Sequence, residues 1–110
     1  MSYEIHLSKM AQSELNEIFS YIAFQIPQLS SLQNAEQQIA RLGNRISGLS
    51  DLPLRFRLHS EEPWRSMGIR VMPVDNYLVF YRVDEAAKEV YIYHILSNRR
   101  NIAAEKRTFE

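Results

Sequence analysis

The chain has 110 residues, 45% of them apolar, and no cysteine, which is enough for one core and too little for two. Disulfides, thiolate metal sites and cysteine nucleophiles are excluded, and a reducing, cytoplasmic setting is the expectation. Thirteen basic and thirteen acidic residues cancel, which argues against a large single-sign field for grasping nucleic acid, while local patches stay open.

The charge is unevenly placed. Residues 1–50 hold 3 Lys and Arg against 4 Asp and Glu, and residues 51–110 hold 10 against 9. An anion-binding surface would therefore be built from the second half. The opening Met1 to Glu4 has no basic n-region, and no later stretch reaches the roughly 18 apolar residues of a membrane span, so neither a signal peptide nor a membrane partner is expected.

Tyr3 to Leu7 alternates with Tyr3, Ile5 and Leu7 on one side, the pattern of a first strand. Ser8 suits the N-cap of a helix in which Ala11, Leu15, Ile18 and Ile22 recur at helical spacing until Pro27 forbids continuation. Ser30 or Ser31 caps a second helix, whose Leu32, Ala35, Ile39, Leu42, Ile46 and Leu49 follow a heptad-like spacing. That seam is too short for a zipper and is expected to pack within the chain. The short link from Pro27 to Ser30 makes the two helices a hairpin.

Pro53, Pro63 and the pair Glu61 and Glu62 make the segment from Asp51 to Arg65 an irregular connection, with a short extended piece at Leu54 to His59. Trp64 within it is expected to close the edge of a core. Gly68 to Pro73, Tyr77 to Val83 and Glu89 to Leu96 are β-rich runs joined by short turns, hence antiparallel. The order β-α-α-β-β-β predicts an α+β fold, a helical hairpin on a small, mainly antiparallel sheet. Residues 1–110 are expected to form a single domain, with 101–110 as a tail or short helix.

The run Ile69 to Val83, with Arg70, Tyr77, Phe80, Tyr81 and Arg82, followed by Val90 to Asn101 with its Arg99 and Arg100 pair, resembles the C-terminal half of RelE/ParE toxins of bacterial type II toxin–antitoxin modules, and lies closer to ParE. The likeness covers about a third of the chain. Two departures stand out: a ParE-like histidine-glycine turn is replaced by Ser97 and Asn98, and the strand arginine of RelE-like nucleases falls at Leu78. Arg82 shares a strand face with Leu78, two pleats along.

The resemblance implies a growth-inhibiting, plasmid-stabilising toxin neutralised by a cognate antitoxin with a disordered segment that folds on binding. Its ParE side implies a noncatalytic inhibitor of DNA gyrase. Its RelE side implies a metal-independent endonuclease acting on mRNA in the ribosome, and a relative that has lost toxicity is the third reading. Cleavage needs a base, a proton donor and fixed cations, and the candidate catalytic residues are Arg70, Arg82, Tyr93, His94 and Arg99. Arg99 and Arg100 are the candidate target-binding pair. Each has a plainer reading: strand arginines cover a sheet with their stems, and His94 suits a buried hydrogen bond. Tyr91 and Tyr93 are candidates for base stacking, with packing the commoner role. No cofactor is expected, and no spacing among His6, His59 and His94 suggests a metal site.

Overall fold

The computed structural model describes residues 2–25 and 30–98. The elements follow the expected order: β1 (Glu4–Leu7), α1 (Lys9–Ser20), α2 (Ser31–Ser47), β2 (Arg70–Val74), β3 (Tyr77–Asp84) and β4 (Glu89–Ser97). The predicted helix break at Pro27, the Arg99 and Arg100 pair and the tail from 101 lie outside the described residues.

Ser8 starts α1 as expected. Its backbone is extended, and its Oγ accepts a hydrogen bond from the Ala11 amide at 2.9 Å, satisfying one of the four free donors of the first turn. Ala11, Glu14 and Ile18 form the buried stripe. Past Ser20 the chain leaves α geometry for a π-helical run, Tyr21–Gln25, with no buried residue. The expected α-helix up to Pro27 is therefore shorter, ending at Ser20, while Ile22 of the expected stripe still packs against the core from the π-helical run.

In α2 the buried positions are Ser31, Ala35, Gln38, Leu42 and Ile46. Leu32, expected in the seam, is 55% exposed. A straight helix drifts about 20° per heptad, so a strict heptad seam rotates off the contact line: Ser31 and Gln38 turn inward, while Ile39 of the expected seam stays half-buried against the core. A 3-10 turn, Gly48–Ser50, then buries Leu49.

The four strands form one sheet in the order β1-β4-β3-β2, with β1 parallel to β4 and the other pairs antiparallel. Asp75 makes the β2–β3 turn with φ 54, a left-handed conformation that aspartate tolerates. Its carboxylate accepts from Gln38 Nε2 at 3.0 Å and Arg41 Nε at 2.8 Å, pinning the turn to α2. The helices cover one face through Leu42, Ile46, Met72, Val79, Tyr81, Val90 and Ile92. Tyr81 is wholly buried and donates its hydroxyl to the Pro53 carbonyl at 2.7 Å; burial pushes its pKa up to about 12.

The other face carries a smaller cluster of Ile69, Phe80 and Leu96, with Trp64, Val71, Leu78 and Tyr93 against it. The segment expected to hold an extended piece at Leu54 to His59 turns as a 3-10 helix at Pro53–Arg55 and is extended only around the isolated bridge of Leu58 to Arg70, where His59 N donates to the Ile69 carbonyl and Val71 N to the Arg57 carbonyl. Pro53 fits the first turn of that helix and fixes φ there. Beyond it, Trp64 and His59 pack at 5.0 Å between ring centroids, and His59 lies 6.0 Å from Phe80, so Trp64 closes a core edge as expected.

The Arg41 hydrogen bond, with that from Gln38, holds the Asp75 carboxyl below the usual carboxylate range. A depressed native pKa contributes stability above the unfolded pKa of about 3.9 and loses it as pH falls through the native value. Because the ion pair is half-exposed, Asp75→Asn, which keeps a side chain suited to the left-handed turn, is expected to cost about 1 kcal/mol or less at pH 7. Urea unfolding at pH 7 and at pH 2 checks this: the two proteins should differ at pH 7 and converge at pH 2.

Candidate functional site

Strand pairing determines which side chains meet. Directly opposed residues share a face, and neighbours along a strand alternate. Glu4 pairs with Glu89, which pairs with Asp84; His6 pairs with Tyr91, which pairs with Arg82. On the face away from the helices, the sheet thus carries an acidic row, Glu4, Glu89 and Asp84, beside a second row, His6, Tyr91 and Arg82.

The rows are joined by contacts. His6 stacks on Tyr91 with ring centroids 5.3 Å apart, and its Nε2 lies 2.9 Å from Glu4 Oε1 and 3.4 Å from Glu89 Oε2. The Tyr91 hydroxyl donates to Glu89 Oε1, and this bond is the main cause of its raised pKa. The Arg82 guanidinium lies 5.3 Å above the Tyr91 ring, and its Nε donates to the Tyr93 hydroxyl at 3.2 Å. That hydrogen bond leads the causes that keep Arg82 charged, with Asp84 and Tyr91 adding to it. Gly68, at φ 82, lies under the Arg82 stem, where a Cβ would sit 3.7 Å from its Cγ.

Of the five candidate catalytic residues, the structure brings two together, Arg82 and Tyr93. Arg70 is opposite Tyr81, on the helix side of the sheet, and its Nη1 donates to the carbonyls of Phe56 at 2.7 Å and Leu54 at 3.3 Å. It fastens the 54–56 segment and does not face Arg82. His94 is 5% exposed, with its Nδ1 3.1 Å from Glu14 Oε2. The same carboxylate accepts from the Ile95 amide at 2.9 Å, across the irregularity at Phe80 and Tyr81 where Tyr93 is the extra residue of β4. Arg99 and Arg100 lie outside the described residues. Leu78 belongs to the apolar outer cluster, with Phe80 between it and Arg82. Four residues of strand span about 13 Å, so Arg82 does not substitute for a cation at that position.

Sequence reasoning passed over Glu4, Glu14 and Glu89, and weighed His6 only for its spacing to the other histidines. Glu4 and His6 carry a usable signal, alternation with the apolar Tyr3, Ile5 and Leu7, but their neighbours depend on β1 lying beside β4, which alternation alone does not reveal. Among the described residues, Glu4, His6 and Glu89 are also a group whose donor atoms all fall within 4.8 Å of one another, a set that histidine spacing alone does not disclose.

The sequence profile described as ParE toxin of type II toxin–antitoxin system, parDE, matches residues 5–102. Comparison with curated protein sequences finds no match. Among solved structures, the chain is similar to the toxin–antitoxin complex RelBE2 from Mycobacterium tuberculosis, with 18% identity, a TM-score of 0.63, and coverage of 88% of this chain and 99% of that one. It is similar to the chromosomal ParDE system from P. aeruginosa, with 17% identity, a TM-score of 0.66, and coverage of 87% and 96%. A double arginine-to-alanine variant of E. coli toxin RelE in the free state matches at 13% identity and a TM-score of 0.60, covering 96% and 94%.

Two helices on a four-stranded mixed sheet are therefore the fold of RelE/ParE-like toxins. The chain belongs to the ParE toxin family of type II toxin–antitoxin systems. No described helix is long and apolar enough to cross a membrane.

The Glu14 carboxylate holds both His94 and the Ile95 amide in a buried setting, so its removal leaves polar groups without their partner. Glu14→Ala is expected to cost about 3 kcal/mol in urea unfolding, while Glu17→Ala, one turn along and exposed, should change stability by less than about 0.5 kcal/mol.

Proposed function

We propose that this protein is the toxin of a cytoplasmic toxin–antitoxin pair and acts without catalysis, by binding DNA gyrase through the outer sheet face around Arg82. Arg99 and Arg100, which follow β4 in the sequence, are the further target-binding candidates in this proposal. A cognate antitoxin neutralises it, in keeping with the toxin–antitoxin complexes among its structural relatives.

The observation that carries this reading is the acidic row. Transfer at a phosphodiester piles negative charge on the phosphorane, and catalysts meet it with converging cations and a proton relay. Here Arg82 is flanked by Asp84 and Glu89, and Leu78 fills the place of the RelE-like arginine with hydrocarbon. Carboxylates so close repel an RNA backbone, yet they suit a protein surface of mixed charge, where complementarity sets specificity and encounter rate. His94, the candidate acid or base, is held by Glu14. Arg82, stacked on Tyr91 and bonded to Tyr93, has the pre-organised form of an interface hot spot.

One observation favours the ribonuclease instead: His6, Tyr91 and Arg82 stand in register, which would supply an imidazole, a phenol and a guanidinium on one face. Expression without the neighbouring antitoxin gene separates the readings. The expected outcome is growth arrest with induction of the DNA-damage response and intact mRNA, and Arg82→Ala should relieve the arrest by at least about tenfold in surviving colonies, the effect of losing a hot-spot contact of about 1.4 kcal/mol. Cuts in ribosome-bound mRNA, mapped by primer extension and lost in Arg82→Ala, would establish the nuclease. Soluble expression without arrest would identify a relative that has lost toxicity.

A further inference from the structure

We propose that Glu4, His6 and Glu89 form a binding site for one divalent transition-metal ion, of which zinc is the natural probe. Imidazole with two carboxylates is a donor set that zinc and its neighbours accept.

Three observations support it. The first is spacing. Donors about 2.1 Å from a tetrahedral ion lie about 3.4 Å from one another. His6 Nε2 and Glu89 Oε2 are already 3.4 Å apart, and Glu4 Oε1, at 2.9 Å from Nε2, sits on a side chain 71% exposed and free to adjust. The second is the state of His6 Nε2: it is shut off from solvent and has no properly directed hydrogen bond, although both carboxylates face it. Among the described residues, those two carboxylates are the ionisable groups that face that atom.

The third is the support around the donors. Ligating groups are usually oriented by a further hydrogen bond, and that partner fixes the metal geometry. Here the Tyr91 hydroxyl donates to Glu89 Oε1, leaving Oε2 as the oxygen turned toward His6. The same tyrosine stacks on the His6 ring. One residue thus positions two of the three donors, and the parallel β1–β4 register supplies the third. Three protein donors leave a fourth position for water or another small ligand.

Binding has an electrostatic consequence. A divalent ion between two carboxylates cancels the charge of two members of the acidic row, so the surroundings of Arg82 change from acidic to near neutral. The inference does not depend on the identity of the toxin's target, and its test reads metal binding alone.

The untagged, chelator-stripped full chain is titrated with zinc by calorimetry, and with cobalt(II), whose visible absorption reports tetrahedral coordination. The expected result is one ion per chain and a tetrahedral cobalt band, with affinity falling roughly tenfold or more in His6→Ala and in Glu4→Gln. Thermal unfolding of the metal-free proteins verifies that the variants fold, and Glu4→Gln, at an exposed side chain, keeps the test valid if His6→Ala does not. Absence of binding, or binding of equal affinity in a folded variant, would overturn the site and leave His6 as an imidazole packed between two carboxylates.

Discussion

The outer face of this protein depends on one pairing, β1 lying parallel against β4 in the register that sets Glu4 beside Glu89 and His6 beside Tyr91. The hydrogen bonds around it fix that register from both ends. Glu4 N donates to the Lys88 carbonyl at 2.9 Å, and Ser8 N donates to the Ile92 carbonyl at 2.9 Å. Ser8 Oγ also donates to the Tyr93 carbonyl while accepting from Ala11, so the residue that starts α1 also ties the end of β1 to β4. A slip of one residue would turn Glu4 and His6 into the helix-side core and Ile5 and Leu7 out to water. Burying an unpaired carboxylate costs several kcal/mol, so the hydrophobic pattern and the acidic row enforce the same alignment.

On the helix side, the corresponding constraint is Glu14. A glutamate 5% exposed is unusual, and it is matched here by His94 and by the Ile95 amide just past the irregular step in β4. The carboxylate couples the position of α1 to the local path of β4, and that path presents Tyr93 to Arg82. His94 Nδ1 thus faces Glu14 in a buried setting, while Arg82 stands on the outer face with Tyr91 and Tyr93 around it.

Much of the fold was legible in the sequence because it is written in local signals. Ser8 announces a helix start, period-two alternation marks the strands, and the short β2–β3 and β3–β4 connections make antiparallel neighbours. The seam of α2 was read as a heptad and drifted at Leu32, since a single straight helix has no supercoil to hold a seven-residue repeat. The site was less legible. Arg82 and Tyr93 emerged from the strand motif, but Arg70 has a parity opposite to Arg82, and its guanidinium is taken by loop carbonyls that no local pattern predicts. Glu4, His6 and Glu89 lie far apart in sequence and acquire meaning only through the parallel pairing of the first strand with the last.

The account rests on the outer sheet face acting by binding and not by chemistry. The most direct test is a DNA supercoiling assay with purified gyrase and purified toxin, in wild-type and Arg82→Ala forms. The account predicts that the wild-type protein inhibits supercoiling in proportion to its binding and that Arg82→Ala weakens both together. Supercoiling untouched by the wild-type toxin, while the same preparation cleaves mRNA on programmed ribosomes, would contradict it.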